Sequence, residues 1–526
     1  MNRAGATRGA AVLVLAVVAA SLTACTADAA DVDGAAQIPE AALAVMDKPV
    51  YANANWQIHV EDLETGDVIV DHNGDKMAEP GSFVKTYSAG AVWLELGPDS
   101  TVTTPVKQSG EVVSGTLAGD LILVGQGDLT MGGRTKDDGT VDFANLDHND
   151  ANPIPGATLT PEDPLTGLDE LAAQVKAAGI DAVSGDVIID DRLFAGTLAK
   201  QPITPTIINQ NILDILITPG EEGAPATGEL TPAVSPWKLS VDVETVEAGG
   251  KTSLADPVLT GDGRLSITGT IAADAGPTLK IYVLTDTAAF ARTAFIEALG
   301  RAGVAVSADP TAANPDGALP AEADVEALPV VAELESLPLA EEATYVMKIS
   351  YNRGAQTFIC RLAVANGSKD CEDGMGAAGQ IWRDAGLDTL GASLIDGSGL
   401  EGNLITAKNA AEVQRIMAEG PDAERWRDTL PILGVDGSLA TVQTDSESAG
   451  KVFAKTGTLV GIDTFNRRAR LSTKTLGGVI EAESGRTLLF TIIVNNRFTN
   501  FDDIIPEVFD SNDDVGAVAA AIQQAY

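Results

Sequence analysis

The chain has 526 residues, with 34 lysines and arginines against 75 aspartates and glutamates, for a formal net charge of −41. So acidic a surface repels nucleic acid and bare anionic polymers, and so long a chain exceeds one simple core, so two or three domains are expected. Beyond the first two dozen residues no stretch is long and apolar enough to span a bilayer as a helix.

In chain order, residues 1–24 carry Arg3 and Arg8, an apolar run over 10–20 and the sequence Leu22-Thr23-Ala24-Cys25, and read as an export signal. Leu-x-Ala-Cys resembles the bacterial lipobox, which implies that Cys25 is lipidated and becomes the first mature residue. The protein is then expected outside the cytoplasm, held to the membrane only through its lipid. Residues 25–50, Ala/Asp-rich and without periodicity, are expected to be a flexible tether. Residues 56–60 and 68–71 alternate as strands around Glu64-Thr65-Gly66-Asp67 and predict a hairpin. Phe83, Val84, Tyr87, Ala91, Trp93 and Leu94 recur at helical spacing after Ser82, and Gly97-Pro98 ends the run.

From about 105 to 324 the pattern changes to short strands separated by Gly/Pro-rich loops, a largely β insert of one or two domains. A Pro/Ala/Asp linker over 309–328 then returns the chain to helices, to strands over 451–458 and 488–495, and to an apolar-faced helix near 515–525. Strands at both ends with helices between them predict one α+β domain, residues 51–104 and 325–526, interrupted by the insert. In an exported chain, Cys360 and Cys371 are expected to be bridged rather than free. The three histidines, His59, His72 and His148, lack metal-ligand spacing and are expected on the surface or in loops; no metal or cofactor is expected.

Three short motifs carry chemistry: Ser82-Phe83-Val84-Lys85, Ser350-Tyr351-Asn352 and Lys455-Thr456-Gly457. A serine needs something to take its proton, and a lysine three positions on, held neutral by burial or a neighbouring cation, does so. Ser-x-x-Lys recurs at Ser235-Pro236-Trp237-Lys238 and Ser448-Ala449-Gly450-Lys451, but the first reads as a turn feeding a strand and the second is followed by strand-like Val452-Phe453-Ala454. Only Ser82 and Lys85 share a helix start, whose free N–H groups favour developing negative charge. There is no Gly-x-Ser-x-Gly elbow.

At these residues the chain resembles the low-molecular-mass class C penicillin-binding proteins, the D-Ala-D-Ala carboxypeptidase/endopeptidase family with a large insert between its first two motifs. The stretches 117–125, 184–191, 396–400, 430–439 and 491–496 also resemble segments of that group, so the likeness covers about residues 55–524. It departs at Pro80-Gly81, at Tyr351, where Asp is frequent, and at Glu401. The resemblance implies a β-lactamase/transpeptidase-like domain, an antiparallel sheet flanked by helices, that cleaves peptidoglycan stem peptides through an acyl-enzyme and is blocked by β-lactams. It further implies Ser82 as nucleophile, Lys85 as base, Ser350 as proton relay and Asn352 as holder of the peptide amide. Lys455, Thr456, Gly457 and Thr458 are implied to receive the terminal carboxylate. Against the acidic field of the chain, a locally positive pocket is expected around Lys85, Lys455 and either Arg361 or Arg383. Two alternatives stand beside it: a β-lactamase on the same scaffold, for which no Glu-x-x-Leu-Asn segment is found, and a non-catalytic wall-binding lipoprotein.

Overall fold

Residues 37–526 are described by a computed structural model. They begin with a helix where the tether was expected: α1 (Glu40–Met46) buries Ala42, and Tyr51 beyond it donates to Asp514 at 2.8 Å. A segment that pays for its order with buried apolar contact and a buried hydrogen bond is not a free linker. Cys25 and the export stretch lie outside the described residues.

Two strands, β1 (Asn55–Asp62) and β2 (Val68–His72), form the predicted hairpin, and α2 (Lys85–Leu96) follows the first motif. Gly97, with a φ of 83°, ends α2 as a left-handed cap. The insert opens with β3 (Thr103–Val113) and β4 (Thr116–Val124), crosses over through α3 (Thr166–Ala177) to β5 (Val187–Asp190), and later forms α4 (Thr287–Arg301). The insert, expected to be largely β, also holds these two helices. A crossover was required, because β5 pairs with β4 in parallel and two parallel neighbours cannot be joined by a tight turn. Short antiparallel and parallel strands continue the insert, and one buried cluster runs from Val106 through Ile215 and Leu265 to Phe295. The stretch 309–328, expected as linker, contains a short helix, Glu322–Ala327.

The chain leaves the insert on β6 (Val330–Glu335), which lies antiparallel beside β3 with Glu335 opposite Thr103. The insert's sheet therefore spans Thr103 to Glu335, outside the bounds of 105 and 324 read from the sequence, because its first and last strands are hydrogen-bonded neighbours. Then come α5 (Leu339–Lys348), α6 (Asn352–Ala365), α7 (Cys371–Asp384) and α8 (Ala407–Ala418). Three long strands, β7 (Val452–Asp463), β8 (Arg468–Glu481) and β9 (Thr487–Thr499), precede the final helix α9 (Ile504–Ala525).

The catalytic sheet is antiparallel in the order β2-β1-β9-β8-β7. Helices cover both faces, so its strands are buried on both sides rather than alternating wet and dry. Trp56, Ile58 and Val60 pack with Val515 and Val518 of α9, while Phe83, Tyr87 and the residues of α5, α6 and α8 pack on the other face. This layering also buries His59, contrary to the surface position expected for it, against Asp71 and Glu61. β7 is the edge strand, and its first half borders the start of α2.

Candidate active site

Ser82 lies in a 3-10 turn, Gly81–Val84, that runs directly into α2, so it stands one turn before the α-helix rather than at its first position. Gly81 makes the turn possible: its φ is 56°, and a Cβ there would lie 2.7 Å from the backbone nitrogen of Thr458. Lys85 is the first residue of α2 and fully buried. Its Nζ donates to Ser82 Oγ at 2.7 Å, to Asn352 Oδ1 at 2.6 Å and to the Ser398 carbonyl at 3.0 Å, which uses all three of an ammonium's protons.

The second motif comes from the α5–α6 junction. Ser350 has a φ of 59°, uncommon for a residue with a side chain, and its Oγ accepts from Lys455 Nζ at 3.0 Å. Asn352 begins α6, so its amide is carried on a rigid element. The third motif lies on edge strand β7: Lys455 is fully buried, Thr456 Oγ1 is 2.8 Å from Ser438 Oγ, and Thr458 Oγ1 accepts from Lys474 Nζ at 2.7 Å. Gly457 is where β7 passes the nucleophile's turn, and a Cβ there would come within 2.0 Å of the Pro80 carbonyl. Ser82, Lys85, Ser350, Asn352 and residues 455–458 thus share one cleft. The other two Ser-x-x-Lys pairs lie elsewhere. Ser448 is buried against Gln523 with Lys451 facing Glu483, and Ser235-Pro236-Trp237-Lys238 feeds a strand of the insert.

A sequence model of the D-Ala-D-Ala carboxypeptidase 3 (S13) family matches residues 40–505. The chain belongs to that family. This S13 enzyme is a serine D,D-peptidase. It is 27% identical to a D-alanyl-D-alanine carboxypeptidase of Actinomadura sp. (strain R39), over 94% of this chain and 88% of that one. It is 23% identical to the D-alanyl-D-alanine carboxypeptidase DacB of Haemophilus influenzae, over 86% and 90%. Its fold is that of the crystal structure of penicillin binding protein 4 (dacB) from H. influenzae, with a TM-score of 0.64 at 21% identity over 87% of this chain and 94% of that one.

The electrostatics of the S13 site rest on three buried lysines, not two. Burial pulls Lys85 down to about 7, against the opposing pull of the Asp150 and Asp396 carboxylates. Burial also lowers Lys455 well below the ordinary lysine range, helped by the charges of Lys85 and Lys474. Lys474 is itself brought down to about 7 by burial. Of the two means the sequence allows for keeping Lys85 neutral, burial or a neighbouring cation, burial is the one that acts, and only Lys455 is lowered further by the other lysines' charges. Arg361 and Arg383 are not in the pocket. Arg361 is buried against Glu342, and Arg383 donates to Gln380 on its own helix.

Several site residues escaped the sequence. Lys474 sits in a run of hydroxyl residues that looks like an exposed strand face, and only the β7–β8 register, with Thr458 opposite Lys474, reveals it. Asp396 accepts from the backbone of Ser398 and Gly399 and so aims the Ser398 carbonyl at Lys85. His148, expected on the surface or in a loop, lies in a 3-10 turn of the insert, His148–Asp150, and is fully buried there, two residues before Asp150. Cys360 and Cys371 are bridged, joining α6 to α7. Among the described residues no group of His, Cys, Asp and Glu is placed to hold a metal ion.

Proposed function

We propose that this enzyme removes the terminal D-alanine of peptidoglycan stem peptides, and opens D-centre cross-links, through an acyl-enzyme on Ser82. The observation that carries the assignment is the 2.7 Å contact between Ser82 Oγ and a fully buried Lys85 whose amine is brought to about 7. Neutral Lys85 takes the Ser82 proton as Oγ attacks the penultimate D-alanine carbonyl. The backbone N–H groups of Ser82 and Thr458 receive the developing oxyanion, worth about 3 kcal/mol per donor in acyl transfer. Ser350 returns a proton to the departing D-alanine amine as the C–N bond breaks, and water then releases the acyl group. Because Asn352 Oδ1 is taken by Lys85, its Nδ2 is the atom left to hold the substrate's peptide carbonyl. The terminal carboxylate binds Lys455, Thr456 and Thr458, and its charge favours the protonated form of Lys455 against the burial that lowers it.

β-Lactams, which present a carboxylate beside a strained amide, enter the same cleft and acylate Ser82. The crystal structure of the H. influenzae relative, 21% identical, includes a complex with a β-lactam, which supports this reading. The export signal and Cys25 would hold the enzyme on the outer face of the membrane, within reach of its wall substrate. Labelling with a fluorescent penicillin tests the assignment. A lasting label that disappears in Ser82→Ala is the expected result. Rapid loss of label would mean a β-lactamase, no label a non-catalytic binder, and a label that survives in Ser82→Ala the wrong serine.

A further inference from the structure

The second motif does not hold itself in place. Ser350 carries a left-handed backbone, and the phenol oxygen of Tyr351 beside it is buried without a hydrogen-bond partner. Besides Lys455 and Lys85, which donate to Ser350 and Asn352, the motif is braced from the insert. Arg134, 6% exposed, donates to both carboxylate oxygens of Asp147 at 2.8 Å and to His148 Nε2 at 3.0 Å. A guanidinium only donates, so Nε2 accepts and His148 carries its proton on Nδ1, which donates to Asp214 at 2.9 Å. Pinned from both sides, the Arg134 guanidinium lies 5.1 Å over the ring of Tyr345 on α5, and Tyr345 packs 5.6 Å from Tyr351. Gln210 of the insert donates to the Tyr345 hydroxyl at 2.6 Å, and Arg353, just past Asn352, donates to the Gln210 carbonyl at 3.0 Å.

We propose that the buried Arg134-Asp147-His148-Asp214 cluster of the insert is a positioning clamp that holds Ser350 and Asn352 in their working geometry through Tyr345 and Tyr351. None of the four touches substrate; they act through the aromatic pair. The insert is therefore part of the catalytic machinery as well as an added domain. The proposal rests on the roles given above to Ser350 and Asn352.

The test separates positioning from stability. Arg134→Met alone leaves Asp147 as a buried, unpaired charge and is expected to destabilise the fold. Arg134→Met/Asp147→Asn removes both charges, so its melting temperature should return towards that of the wild type while the grip on Tyr345 stays lost. In that double variant the limiting rate of acylation by fluorescent penicillin should fall about 10- to 100-fold, as expected when reacting groups shift by a fraction of an ångström to one ångström. Reversible binding before acylation should weaken much less than the rate, because Lys455, Thr456 and Thr458 on β7 still hold the carboxylate and only the Asn352 contact is loosened. Arg134→Lys serves as a second variant, since it keeps a cation against Asp147 but not the planar fork that also reaches His148, and it should fall between the two. Wild-type rates in either variant would overturn the clamp. Failure of the wild type itself to label would instead count against the proposed function, and a crystal structure of the double variant then decides: displacement of Ser350 Oγ from Lys455 Nζ supports the clamp, and an unchanged contact overturns it.

Discussion

Lys85 and Lys455 stand in one pocket with opposite duties. One has to give its proton up, the other has to meet a carboxylate. Lys85→Arg should lose acylation by roughly 10²- to 10⁴-fold, the share a general base supplies, because a guanidinium keeps its proton. Lys455→Arg still offers a cation and paired donors to a carboxylate and should retain measurable acylation, weakened by geometry. Stopped-flow labelling distinguishes them, and the reverse ranking would exchange base and anchor. The pH dependence has a fixed sign. Lys85 is neutral above about 7, so the wild-type acylation rate should rise as pH increases through about 7 and then level, whereas a rate that falls over that range would remove Lys85 as base.

The bridge between Cys360 and Cys371 ties the end of α6 to the start of α7 across 11 positions. Closing a loop of that order contributes about 3 kcal/mol by restricting the unfolded chain. Cys360→Ala/Cys371→Ala should therefore lower the denaturation midpoint by a corresponding amount and leave the acylation rate of the folded fraction intact, because Asn352 is at the far end of α6. A variant of full stability but slow acylation would mean that the bridge tunes the site instead. At this scale some elements announce themselves in the residues and others do not. The β1–β2 hairpin, α2 and the third-motif strand show through alternation, 3.6-residue spacing and a Gly-Pro stop, all of them local signals. The pairing of β4 with β5 and of β3 with β6 is a tertiary fact, and with it went α3, α4 and the true limits of the insert. Within the site, motif spacing delivers Ser82, Lys85, Ser350, Asn352 and Lys455. Lys474, the Ser398 carbonyl and the Arg134 cluster arrive only through register and packing, which no local pattern encodes. α1 escaped for another reason: after Glu40 the rest of its seven residues are all apolar, three of them alanine, so it has no polar face whose periodicity would mark a helix in an Ala-rich stretch.

At the scale of the whole molecule, no helix among the described residues is long and apolar enough to cross a membrane, and the attachment proposed through Cys25 is open to a direct test. Growth with a labelled fatty acid should tag the protein, and Cys25→Ser should lose the tag and leave the membrane fraction. A tag that persists in that variant would end the lipoprotein reading. The sheet order has a further consequence, for how the molecule comes into being. β1 is paired with β9, and Tyr51 meets Asp514 across 463 positions of sequence. A chain made from its N-terminus produces the nucleophile's helix well before β9, the strand that pairs with β1. Until then the first hairpin has no partner on its inner edge, while the insert, whose first and last strands are neighbours, has everything it needs to fold. The insert is therefore expected to fold ahead of the catalytic sheet, whose centre closes only once β9 is in place. A chain cut before β9 should accordingly fail to label with fluorescent penicillin.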